Sequence, residues 1–288
     1  MALRLPSMLR FGLLLLALVA FSSVHAQTTG KLTYVEGQVQ VIRGAQALAA
    51  VAGLPLESSD FVETGSNAYV LLEFGNGMRL ALGGDTRLML RSLGSSKDGT
   101  VEFATLGGWL KAQSGTAEKD PGYRIDTPTL SVRSSDASLV LRVGAETNAL
   151  FVESGAATAA VLDRRGRAGT SKALRRGNFL TQPADHSLVV RERPGQEFVA
   201  ALPRPFRDPL PDLLDHFRNR PVNVRILGDT DCASAGPWLQ GPRTWRAGLV
   251  PRFSSRARDP EFRRGLVENL KLHSEWSRIL YPERYRKH

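Results

Sequence analysis

The chain has 288 residues, of which 42% are apolar, with a single cysteine and a formal net charge of +10. One cysteine excludes an internal disulfide and a thiolate metal site within one chain, so stability has to come from burial. The charge is unevenly divided: residues 27–163 carry 11 Lys and Arg against 15 Asp and Glu, and residues 164–288 carry 25 against 13, an asymmetry that points to two units with different partners.

The first residues read as an export signal. Arg4 and Arg10 flank a short positive region, Phe11 to Phe21 is an apolar run, and Val24 and Ala26 are small residues at the minus-three and minus-one positions. This layout predicts a secretory signal peptide over 1–26, cleaved after Ala26. The run is shorter than the roughly 20 residues that span a bilayer, and no cysteine at the cleavage site offers a lipid anchor. The mature chain is expected in the periplasm and not as an integral membrane protein. Outside the cytoplasm the basic half is expected to meet envelope proteins or an anionic envelope component, such as peptidoglycan or lipid headgroups, and no nucleic acid.

Residues 31–193 predict β structure throughout, as short alternating runs broken by Gly, Asn and Asp. Val39 and Val41 alternate onto one face, and Leu88 and Leu90 do the same. Gly75-Asn76-Gly77 stands between two apolar runs and predicts a hairpin, because these residues tolerate positive φ. Polar loops are expected at 95–99, 118–122 and 164–169. Strands at this spacing, without a helical period between them, predict a sandwich, a roll or a β-helix-like stack.

After Arg193 the character changes. Pro194, Pro203, Pro205, Pro209 and Pro211 predict an extended linker or strap. Short helical patterns follow over 212–218, 231–239 and 244–250. The clearest helix starts at Asp259, a good N-cap, with Pro260 at the first helical position and Glu261 in the first turn. Phe262, Leu266 and Leu270 recur four residues apart and form an apolar stripe. The expected organisation is a β domain over 27–195, a Pro-rich linker over 196–211, and a small, basic, helix-rich module over 212–288.

Several segments of the β region form an ordered series: Gly37-x-Val-x-Val, Gly53-Leu-Pro-Leu-Glu57, Asp60-Phe-Val-Glu-Thr-Gly65 and Tyr69-Val-Leu-Leu-Glu-Phe-Gly-Asn-Gly77. Leu106-Gly-Gly-Trp-Leu-Lys111, Tyr123-Arg-Ile-Asp-Thr-Pro128 and Val152-Glu-Ser-Gly155 continue it. In this series the chain resembles the FecR domain family. The resemblance implies a periplasmic β module that acts in signalling or protein interactions. In the family's best-known members that module follows a transmembrane helix and a cytoplasmic segment that regulates a sigma factor. Here a signal peptide is expected in their place, so direct sigma-factor control is not. The family pattern Val-Arg-Gly-Thr is Val132-Arg-Ser-Ser-Asp136 in this chain, and a different local turn is expected because Ser resists conformations open to Gly.

No nucleophile elbow, phosphate loop, dinucleotide fingerprint or zinc-binding His pair is present. No catalytic, cofactor or metal residues are therefore expected. Asp229 and Asp231 form a carboxylate pair that reads as a loop with a helix cap, or as an acid–base or cation site. Cys232 reads as a buried small hydrophobe or as an intermolecular bridge. In the tail, Trp238, Trp245, Trp276, Tyr281 and Tyr285 interleave with Arg243, Arg246, Arg278 and Arg284. These nine form the candidate binding face, since Trp, Tyr and Arg dominate interaction hot spots. The competing reading places the tryptophans in the module's own core. The expected function is a non-enzymatic binding, scaffolding or signalling adaptor of the cell envelope. The alternatives are an enzyme acting on envelope polysaccharide or peptidoglycan, and a sensor in an envelope signalling or metal-uptake circuit.

Overall fold

The computed structural model describes residues 30–94, 99–115, 121–218 and 220–285. The expected signal peptide and most of the loops at 95–99 and 118–122 lie outside the described residues. Among the described residues eighteen strands, β1 to β18, form two leaves joined by one long strand, so the fold is mainly β.

The first leaf contains β1 (Gly30–Glu36), β4 (Pro55–Leu56), β6 (Tyr69–Phe74), β7 (Arg79–Leu82), β12 (Ser138–Val143), β13 (Asn148–Ser154), β16 (Phe179–Gln182) and β17 (Val189–Arg191). The second contains β2 (Val39–Arg43), β3 (Gln46–Ala49), β5 (Phe61–Thr64), β8 (Arg87–Leu93), β10 (Tyr123–Asp126), β11 (Leu130–Ser134), β14 (Ala156–Leu162), β15 (Ala168–Arg175) and β18 (Ile226–Asp229). The chain passes from one leaf to the other after every one or two strands and so builds a rolled sandwich. β9 (Val101–Gln113) belongs to both leaves. Its first half pairs with β8 and, in parallel, with β10; its second half pairs antiparallel with β7 and β12.

The bend of β9 falls at Gly107-Gly108. Gly108 has φ +101°, and a Cβ there would stand 2.4 Å from the Thr86 Cα. Only glycine admits that backbone and that approach. The Gly-Gly pair read from the sequence is thus the hinge that turns one sheet into two leaves.

The interior between the leaves holds residues such as Leu32, Val62, Leu72, Phe74, Leu88, Phe103, Leu110, Ile125, Leu141 and Leu150. Neighbouring residues on the same strands face outward and are also buried. Leu71, Ala81, Val140 and Phe179 lie on the outer side of the first leaf. Ile42, Phe61, Met89 and Ala104 lie on the outer side of the second. Successive strand residues point to opposite faces, so a strand such as β6, buried almost throughout, signals a sheet covered on both sides.

The Pro-rich segment covers the first leaf. It contains the short helix α1 (Gln196–Ala201) and runs across the sheet with Phe198, Phe206 and Leu210 buried against it. The strap satisfies only part of its backbone by its own short turns, and charged side chains of the sheet take up further groups. Buried Lys111 donates to the carbonyls of Phe206 (2.8 Å) and Asp208 (3.0 Å) and pairs with Glu153 (2.8 Å). Arg79 donates to the Leu210 carbonyl (2.7 Å). Buried Glu73 accepts the N–H groups of Leu213 (2.9 Å) and Leu214 (3.0 Å) and the Thr33 hydroxyl (2.7 Å).

The helices cover the second leaf: α2 (Cys232–Leu239), α3 (Arg243–Arg246), α4 (Leu249–Phe253), α5 (Pro260–Glu268) and α6 (Ser277–Leu280). Asp231 caps α2 through the Ser234 N–H (2.8 Å), and Asp259 caps α5 through the Phe262 N–H (2.8 Å). The pattern at 244–250 is divided between α3 and α4, and the pattern at 212–218 is a 3-10 turn over Leu214–Phe217. β18 is a strand within the module expected to be helix-rich, between two of its helical patterns; it extends the second leaf by pairing with β3.

The turn after β11 is built without a left-handed residue at Ser134 or Ser135. The Ser134 hydroxyl instead accepts the N–H groups of Asp136 (3.2 Å) and Ala137 (2.8 Å), a side-chain turn that takes the place of glycine.

Candidate binding cleft between sheet and helices

The seam between the second leaf and the helices is built on Phe61. Trp238 stacks on its ring at 4.5 Å between centroids and 16° between planes. The indole N–H donates to Glu63 (3.2 Å), which also accepts from the Gln40 amide (2.8 Å). Burial pushes the Glu63 carboxyl above its ordinary range, against those two hydrogen bonds. Arg252 lies over the Phe61 ring, 3.9 Å from its centroid, and 5.2 Å from that of Phe253. It donates to the carbonyls of Ile42 (2.8 Å), Gly44 (2.7 Å) and Ser59. Burial lowers its pKa to about 10, which leaves it charged at neutral pH. Arg256 fixes the β18 end through Asp229 (2.9 Å) and the Thr230 carbonyl (3.0 Å).

This seam decides where the nine candidate residues lie. Trp238, Trp245 and Trp276 are buried in the shared core. Trp238 and Trp276 support the surface and do not form it, and Trp245 reaches it by one edge only. Arg246 is largely buried, pairs with Glu275 (3.2 Å) and donates to the carbonyls of Leu239 and Leu272, so it ties helices together. Arg278, Tyr281, Arg284 and Tyr285 form a separate patch at the end of the chain. Arg278 stands over Tyr285 (5.5 Å) and Arg284 over Tyr281 (4.3 Å). Of the four candidate arginines, Arg243 opens onto a cleft with Trp245 at its base.

That cleft holds about 540 Å³ and is made by both parts of the chain. The sheet contributes Leu106, Pro128 and Leu162, and the helices contribute Pro237, Pro242 and the edge of Trp245. Its rim carries Arg87, Arg164 and Arg243, all exposed. Arg87 has a long contact of 3.9 Å to Glu63. Among the described residues Arg164 and Arg243 have no carboxylate within ion-pair distance. The rim's one acid, Asp163, accepts the backbone N–H groups of Arg165 (2.8 Å) and Arg167 (2.9 Å) and pairs with the Arg167 guanidinium (2.8 Å). These bonds hold its carboxyl below the usual range. The cleft thus offers an apolar floor with a net positive rim, which suits a ligand with an anionic group on an apolar body.

Asp229 and Asp231 are not brought together as an acidic site: Asp231 caps α2 and Asp229 pairs with Arg256. Among the described residues no group of three or more His, Cys, Asp and Glu could hold a metal ion. Cys232 is half-buried, with its sulfur lying against Gly265 of α5, and burial raises its pKa.

His273 gives the helical layer a measurable pH response. It is buried, its Nδ1 has no hydrogen-bond partner, and desolvation pushes its pKa below the ordinary histidine value. The unfolded chain takes up a proton near pH 6.5 and the folded chain resists it. Stability is therefore expected to fall as pH drops below about 6.5, by at most about 1.4 kcal/mol per pH unit, until the folded pKa is passed. Glu63 works in the opposite direction, since its raised pKa favours proton uptake by the folded state. Urea midpoints at pH 7 and pH 5.5 for the native chain and for His273→Asn isolate the histidine. An equal acid loss in both proteins rules it out as the cause.

Among the described residues no helix is long and apolar enough to cross a membrane. No curated protein matches the chain. Two crystal structures of a candidate anti-sigma factor from Parabacteroides distasonis are similar over 49% of this chain, at 12% and 11% identity, each with a TM-score of 0.41. The similar region spans 63% and 62% of those chains, less than two thirds of their length. The family model described as FecR protein matches residues 60–161, which run from β5 to the end of β14 through the β9 hinge. Over these residues the chain is similar to the FecR proteins.

Proposed function

We propose that this chain is a non-enzymatic adaptor of the bacterial cell envelope, exported to the periplasm, whose FecR domain and helical layer together bind an anionic group of an envelope partner. The observation that carries this reading is the cleft: three arginines from distant parts of the chain share one rim over an apolar floor, and the only acid on that rim is already neutralised by Arg167. Cations and apolar surface are the chemistry of recognition. The export signal read at residues 1–26 supports the compartment, and the FecR match supports a role in signalling or protein contact.

A photoreactive amino acid at Thr244, which lines the cleft, tests the reading in the native host. Adducts are expected from Thr244 and not from a distant exposed position such as Glu283. The double variant Arg164→Glu, Arg243→Glu is expected to reduce adduct yield about tenfold or more, and salt is expected to weaken capture in parallel. Equal adducts from both positions, or capture indifferent to the double variant, defeat the proposed cleft. N-terminal sequencing of the protein from osmotic-shock fluid is expected to begin at Gln27; recovery in the cytoplasm with Met1 retained defeats the compartment.

A further inference from the structure

The four free edges of the two leaves differ in length. β4, β17 and β18 present two, three and four residues, and β15 presents eight. Among the described residues β15 pairs only with β14. It is exposed along its whole length except at Leu174. Arg176 donates its N–H to the Gly155 carbonyl (3.1 Å), and inward and outward bonding alternate along an antiparallel strand. In the register Ala157 to Leu174 and Ala159 to Lys172, Leu174 and Lys172 bond towards β14. Ser171 and Ala173 turn their N–H and C=O groups outward.

The same hairpin is the most basic stretch of the domain. Arg164, Arg165, Arg167, Lys172, Arg175 and Arg176 stand against Asp163 alone. All six cations are exposed, and the side chains alternate to both faces of the strand. A second copy of β15 laid along this edge would set like charges opposite one another, which destabilises pairing. A strand carrying Glu or Asp at alternate positions would set opposite charges there and satisfy the open backbone groups.

We infer that β15 is a docking edge for an extended, acidic segment of a partner protein, which adds to the second leaf as one more strand. The inference deepens the adaptor reading and rests on it only in taking the partner to be a protein. Edge cations also protect a sheet from self-pairing. That role requires repulsion of like edges and predicts no ordered addition of an acidic strand, so the two are separable.

The test uses the mature chain and a labelled twelve-residue peptide alternating glutamate with valine and threonine, beside its glutamine counterpart. Saturable binding of the acidic peptide is expected by fluorescence anisotropy, about tenfold tighter than the glutamine form. Amide exchange is expected to slow at Ser171 and Ala173. Ala173→Pro removes an outward N–H while sparing the β14 ladder and is expected to weaken binding about tenfold, as is Lys172→Glu with Arg175→Glu. Circular dichroism checks that each variant is folded; if the proline variant is not, the charge variant and the exchange pattern decide. Absence of saturable binding overturns the inference. So does binding that survives Ala173→Pro in a folded protein without protection at Ser171 and Ala173, which marks electrostatic attraction only. Protection at Leu106, Gly241 and Trp245 instead places the peptide in the cleft, which overturns the edge and leaves the adaptor reading standing. Capture of phosphatidylglycerol vesicles without capture of the peptide overturns it in favour of a membrane surface.

Discussion

Replacing Trp238 by alanine is expected to lower the unfolding free energy by about 4–5 kcal/mol, the upper end for removing a buried aromatic side chain. Trp238 is 1% exposed. Its removal opens a void on the stacked face of Phe61 and takes a donor from Glu63, whose carboxylate is already disfavoured by burial. Trp238→Phe keeps an aromatic face on Phe61 and loses the indole N–H, so a smaller loss of about 1–2 kcal/mol is expected. The position of Trp238 makes the effect global. Its cluster contains Ile42, Phe61, Met89 and Ala104 from the strands together with Leu249, Phe253, Phe262 and Leu266 from the helices. Urea unfolding followed by far-ultraviolet circular dichroism and by tryptophan fluorescence is expected to give one transition for the native chain. A loss below about 1 kcal/mol, or fluorescence that unfolds well ahead of the strands, shows that the helices fold independently of the sheet.

That shared cluster also explains what the sequence reveals and what it conceals. The strands are legible because alternation is a local signal. β6 and the Gly75–Gly77 turn, and the caps at Asp231 and Asp259, need no knowledge of distant residues. The run Tyr69-Val-Leu-Leu-Glu-Phe74 carries more, since an apolar residue on each face of a strand implies a cover on each side. Which segments supply the covers is a tertiary matter. β18 is hidden for that reason: Ile226-Leu-Gly-Asp229 is short, and its partner β3 lies far away in the chain. The tryptophans and arginines of the tail are visible as interaction-prone residue types, but their spacing does not separate Trp238 in the core from Arg243 on the rim. The cleft is still less legible. Arg87, Arg164 and Arg243 come from β8, the β14–β15 turn and α3, and only the docking of the helices on the second leaf brings them to one rim. A weaker signal was present in the charge itself, which changes sign at Arg164.

The strap gives the second large expected effect. Lys111→Met is expected to cost about 3–4 kcal/mol, the range for removing one partner of a buried pair, with the lower figure favoured because Glu153 is 25% exposed and recovers some solvent. Methionine retains most of the stem volume, so the loss is chiefly polar: the carbonyls of Phe206 and Asp208 are left without their donor, and Glu153 without its cation. The damage should be local before it is global, because Lys111 holds the strap at one point and Glu73 and Arg79 hold it further along. Trypsin is expected to cut first after Arg207 in the variant and to leave this bond intact in the native chain. Glu153→Gln serves as the comparison, since it keeps an oxygen acceptor for Lys111 and leaves both strap carbonyls bonded; a loss of about 1 kcal/mol is expected. If Lys111→Met and Glu153→Gln lose stability equally, the ion pair matters and the strap contacts do not. If Lys111→Met loses far more and exposes Arg207, the lysine is the clasp that converts a proline-rich segment into the outer layer of the first leaf.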